Sequence, residues 1–366
     1  MVAYTEPTTT SVSVVKEAHV KSAVLAVAIV TVCVAGVALE AQSAPDGRLL
    51  VLSKADLMLS VIDPATLKVI GRVPSGPDPH EVAASADGRT AYISNYGTGK
   101  GGFNTLTVAD LVTLTSKPVV DLGPLRGPHG MTSAGGKIYF TAEVAKAIGR
   151  VDPATNKVDW TLGTGQDISH MVVVANDLRR MFTVNVQSAS ASIIERAVGR
   201  AGRFAPAADD DWTVTSVKVG DPSEDFEGFD VSPDGNQLWT ASPRGKIVIV
   251  DTVKKTVVQT IDAPGVTGAN RVKFTPDGKR VLISRLFAAP GGAPGNIVVY
   301  DAVTRAEIKR IDAGGGVGGI LMQPDGARAF GSSRTGVVVI DLNKLEVVGR
   351  IDAGGNPDGL AWVAKP

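Results

Sequence analysis

From about residue 47 to the C-terminus, apolar residues come in short runs, each ended by a cluster of Gly, Asp, Asn or Pro. Runs such as QLWTA at 237–241 and RVLIS at 280–284 have the length and β-rich composition of strands. Between them a turn of the Pro-Asp-Gly type recurs at Pro45-Asp46-Gly47, Ala86-Asp87-Gly88, Pro233-Asp234-Gly235, Pro276-Asp277-Gly278 and Pro324-Asp325-Gly326. Degenerate copies at Ala134-Gly135-Gly136 and Asn176-Asp177-Leu178 bring the number to seven. Asp-Gly suits a hairpin because Gly accepts positive φ and Asp bonds to the backbone two residues on.

A second signature follows each turn: Val61-Ile62-Asp63-Pro64, Val151-Asp152-Pro153, Val250-Asp251-Thr252, Tyr300-Asp301-Ala302 and Ile340-Asp341-Leu342. Val108-Ala109-Asp110 is a weaker copy, and the one expected near Glu195 is degraded. Asp at the head of a type I turn is structural, so these carboxylates are not expected to be catalytic. The interval between turns is that of one four-stranded blade, and seven intervals predict an all-β, seven-bladed β-propeller. The segment from Gly354 to Val363 reads as an innermost strand after which the blade stops, while 45–52 begins at the turn that should follow it. Pairing of this C-terminal strand with the N-terminal strands in one blade closes the ring and removes its open edges.

Residues 44–366 are therefore read as the propeller, and residues 1–43 as something else. The uncharged run Ser22 to Leu39 follows Lys16 and Lys21 and precedes small residues at 41 and 43, the pattern of a cleaved secretory signal. This points to a periplasmic or secreted protein; the alternative is a retained N-terminal membrane anchor. The single cysteine, Cys33, lies in that run, so neither a disulfide framework nor a Cys-based zinc site is expected. Formal charge is zero, with no basic stretch carrying aromatics, so nucleic acid is not expected as a partner.

The repeats, with Tyr92-Ile93-Ser94-Asn95 in the place of the family's tetrapeptide, resemble those of the YVTN-family propellers of exported bacterial proteins. That resemblance spans roughly Ala44 to Val363 and implies the fold more than any activity. Pro79-His80-Glu81-Val82 together with Ser94-Asn95-Tyr96-Gly97 is similar to the lactonase propellers related to 6-phosphogluconolactonase, over one or two blades.

In a propeller, loops entering the innermost strands ring the mouth of the central channel. Counting back from each turn puts His80, His129, His170, Glu227, Asn270, Gly318 and Asp358 at that position. The three histidines beyond the N-terminal segment fall in consecutive blades, with a glutamate next. His80, His129, His170 and Glu227 form a candidate set for a divalent metal such as zinc, copper or iron, or for acid-base chemistry without one. Arg271, in place of the usual Gly, is a candidate catalytic residue, and Asn270, Arg285, Asp358 and Asn95 are candidate ligand contacts. The expected function is small-ligand or metal binding at the mouth, with lactonase-like or metal-assisted hydrolysis as one version. The alternative is a non-enzymatic scaffold whose rim loops bind other proteins. Gly-rich loops at 96–103 and 287–295 are read as rim loops, and the polar stretch 196–211 as an insertion and a candidate partner contact.

Overall fold

The computed structural model describes residues 47–98, 101–197, 211–287 and 296–365. The N-terminal segment with Cys33, most of the 196–211 insertion and parts of both Gly-rich loops lie outside the described residues.

The described chain forms seven four-stranded antiparallel sheets. Blade one combines Pro357–Ala364 with Gly47–Ser53, Met58–Asp63 and Lys68–Pro74, in that order from the channel outward. Arg48 faces Val363, Leu50 faces Ala361 and Val51 faces Leu360, so the last strand closes the ring as the two chain ends predict. The innermost strands of blades two to seven are Pro79–Ala84, Pro128–Ala134, Ser169–Val174, Gly228–Val231, Ala269–Phe274 and Val317–Met322.

The turns follow from their residues. Ser85 Oγ and the Arg89 amide both donate to Asp87 Oδ1, at 2.6 and 3.1 Å, and Gly88 takes φ of 70°. At the other end of each blade, Asp301 Oδ1 accepts from the Val303 and Thr304 amides at 2.9 and 2.7 Å. Asp63, Asp110, Asp251 and Asp341 accept from the same two positions, and the bonds hold the Asp301 carboxyl below the usual range. These aspartates are turn formers.

Hydrophobic burial is shared between neighbouring blades instead of gathered in one core. Leu50, Leu52, Leu59 and Val61 of blade one pack on Val82, Ala91 and Ile93 of blade two, all buried. Equivalent clusters lie between the other blades, such as Trp239, Ile247 and Ile249 on Val272 and Val281. Each large aliphatic side chain buried in this way contributes about 1.5–3 kcal/mol, so the blades hold one another in place around the channel.

Candidate functional site

Six of the seven inner strands enter the ring through a bulge near the second residue, for example between Pro79 and Val82 and between Pro128 and Met131, while in blade five Glu227 immediately precedes the regular strand Gly228–Val231. The bulge breaks the alternation and turns the second residue into the mouth. All seven counted residues, His80, His129, His170, Glu227, Asn270, Gly318 and Asp358, line one cavity of about 590 Å³.

A second tier comes from the first residue after each blade's second strand: Lys54, Tyr96, Glu143, Val186, Pro243, Leu286 and Arg334. Lys54, Tyr96, Leu286 and Arg334 line the same cavity, and Glu143 lies buried behind the imidazoles. Sequence reasoning missed this tier, although the same count taken one strand further along finds it. The candidates Asn95 and Arg285 are off by one residue. They end their strands, and the alternation of side chains turns them into the blade. Asn95 is buried between Thr105 Oγ1 and Thr107 Oγ1, and Arg285 Nε donates to the Thr267 carbonyl at 2.9 Å. Neither lines the mouth; Tyr96 and Leu286 take those places.

The imidazoles lie in a row of tilted rings. Ring centroids of His80 and His129 are 5.1 Å apart, those of His129 and His170 are 4.1 Å apart, and Tyr96 sits edge-on to His129 at 4.9 Å. The donor set differs from the predicted His80, His129, His170 and Glu227. Candidate ligand atoms of His129, Glu143 and His170 all lie within 4.8 Å of one another. His80 is occupied on both nitrogens: Lys54 Nζ donates to Nε2 at 2.7 Å, and Nδ1 is 3.3 Å from the Asp78 carbonyl. Glu227 accepts from Asn270 Nδ2 at 3.3 Å on the other side of the mouth.

Glu143 Oε1 accepts from His170 Nδ1 at 2.6 Å, and the Tyr96 hydroxyl donates to Glu143 Oε2. Burial, and then the Glu143 bond, push the Tyr96 phenol well above its ordinary value, so it stays protonated as a donor. A donor from His170 Nδ1 leaves the lone pair on Nε2. His170 Nε2 and His129 Nδ1 are both buried with no hydrogen-bond partner among the described residues. Burial, followed by the neighbouring His170 and His80, holds His129 well below the usual imidazole range and therefore neutral. Burial and Lys54 lower His80 as well.

Arg271 lies one residue past its ring position. At that place four other blades carry Gly130, Gly228, Gly319 and Gly359, and there the inner strands come closest. A Cβ on Gly228 would stand 2.2 Å from the Asn270 carbonyl oxygen, and one on Gly359 2.4 Å from that of His80. Into this narrow level blade six projects Arg271 and blade two projects Glu81, which meet across the channel at 2.9 Å. Arg271 is thus engaged by a carboxylate of its own chain. It lines both the mouth and a second cavity of about 380 Å³ towards the other face.

No protein-family model matches this chain, and no curated protein matches it. Solved structures do. The chain is similar to Kuenenia stuttgartiensis hydrazine synthase, at 17% identity and a TM-score of 0.61 over 77% of this chain and 89% of that one. It is similar to a functionally unknown protein from Desulfotomaculum acetoxidans, at 12% identity and 0.67 over 87% and 99%. A provisionally assigned 6-phosphogluconolactonase from Bacteroides fragilis is similar at 14% identity and 0.64 over 88% and 99%. At these identities the likeness establishes the propeller fold alone.

Proposed function

We propose that this is an exported propeller of the YVTN type whose His129 and His170 hold a divalent first-row metal ion in the wall of the mouth and present it to a small ligand. The observation that carries this reading is the pair of buried ring nitrogens, His129 Nδ1 and His170 Nε2, left without partners among the described residues on rings 4.1 Å apart. A buried polar atom with no partner costs about 1–3 kcal/mol, and one cation would satisfy both. The donors suit such an ion: ligation needs neutral imidazole, His129 is held neutral, and Glu143 fixes the His170 tautomer from behind. Imidazole and carboxylate fit zinc, copper or iron. When bound, the ion would supply Lewis-acid chemistry. Tyr96 and Glu143 orient His170, while Asn270, Glu227 and Asp358 offer polar contacts on the remaining rim. Hydrolysis of a small lactone is the reaction class that the repeat resemblance and the lactonase-assigned neighbour suggest. The N-terminal sequence pattern supports export.

A second reading dispenses with the metal: the Glu143–His170 pair then makes His170 Nε2 a general base towards water in the mouth. Elemental analysis of protein purified from its native compartment separates the two. The metal reading expects about one ion per chain, and His129→Ala should remove it while thermal unfolding stays cooperative, because the apolar clusters that join blade three to its neighbours are built from strand residues outside the mouth. Metal-free protein that opens a simple lactone, with the rate lost in His170→Ala, favours the second reading. Loss of stability in His129→Ala with no change in metal or ligand makes the histidines structural and favours the scaffold with rim-loop partners.

A further inference from the structure

Of the three cations that line the mouth, Lys54, Arg271 and Arg334, two are paired among the described residues. Lys54 lies 3.2 Å from Asp358, Arg271 is paired with Glu81, and Glu227 accepts from Asn270. Arg334 lines the cavity from blade seven and makes no hydrogen bond or ion pair among the described residues. Below it the ring position is Gly318, where every other blade places a polar side chain. A Cβ there would meet nothing nearer than 3.5 Å, so the missing side chain leaves a notch on this side of the cavity. The wall beside the notch is apolar: Leu286 and Phe287 line it with 42% and 63% of their surfaces exposed. An unpaired guanidinium, a vacant position and an exposed apolar wall thus adjoin one another, opposite the imidazoles.

We infer that blade seven forms an anion subsite, in which Arg334 takes the carboxylate or phosphate of a small organic acid whose carbon chain crosses the notch over Gly318 towards His129 and His170. This rests on the reading of the mouth as a ligand site and names the ligand class. Guanidinium is the side chain best suited to grip a planar or tetrahedral oxyanion through paired N–H donors. The nearest ring acid, Asp358, is countered by Lys54 and does not oppose the anion.

Calorimetric titration of the full chain at low salt with hexanoate, butyl phosphate and inorganic phosphate tests this, with metal content measured on the same samples. Either organic anion should bind, and the preferred one tells carboxylate from phosphate. Arg334→Gln should weaken binding about tenfold or more, the effect of losing a charge-assisted pair. Gly318→Leu, which the open surroundings tolerate, should abolish binding of the anions with a carbon chain and spare inorganic phosphate. Unchanged affinity in Arg334→Gln, no binding of either organic anion by the unmodified chain, or hexanoate binding kept in Gly318→Leu overturns the proposal. Metal absent from protein that still binds the anions through Arg334 defeats the metal reading and leaves this subsite standing.

Discussion

His129 shows how one residue's setting can tie stability to pH. Burial and its imidazole neighbours hold its folded-state pKa well below the ordinary 6.5, and His80 is lowered in the same direction. Between the lowered folded value and 6.5 the unfolded chain binds more protons, so stability is complete above about pH 6.5 and falls as the pH drops below it. The melting temperature of chelator-treated protein should therefore decline between pH 7 and 5, and His129→Gln should flatten that decline; an equal slope in both proteins would contradict it. The same residue marks how far the site was legible. His129 could be placed at the mouth because the turns repeat in every blade and counting back from each reaches one equivalent position, which lines the cavity. Glu143 was not, because a lone Glu at the end of a TAE run signals nothing until its strand is placed beside that of His170. Asn95 and Arg285 failed by the parity of a strand, where a shift of one residue exchanges mouth for blade interior.

At the level of the strand, the ring was readable because turn chemistry is local: Asp and Gly at fixed offsets set each hairpin without help from distant residues. The narrow level below it was not readable, since contacts between inner strands belong to neighbouring blades. Gly228 and Gly318 separate the two cases. A Cβ on Gly228 would strike backbone atoms of blade six at 2.2 and 2.7 Å, whereas one on Gly318 meets only ordinary contacts from 3.5 Å outward. Gly228→Ala should cost about 1–3 kcal/mol, as overpacking does, and Gly318→Ala close to nothing. Urea unfolding of the two variants checks this, and equal midpoints would show that the inner strands can part freely.

For the whole molecule, stability depends on closure. Blade one takes its innermost strand from the C-terminus, and seven sheets share their buried side chains with neighbours on both sides. Removal of residues 355–366 should open an edge beside Gly47–Ser53, expose Leu50 and Leu52, and abolish cooperative unfolding. A truncated chain that melts like the full one would mean the ring does not need its clasp.

The ion pair of Arg271 and Glu81 gives the same ring a traffic rule. Because the pair stands where the two cavities adjoin, the mouth is expected to act as a cul-de-sac and not a passage. Under the proposed reading, a molecule that enters must back out through the same doorway before the next can arrive, so one that lingers competes with its successor for a single berth.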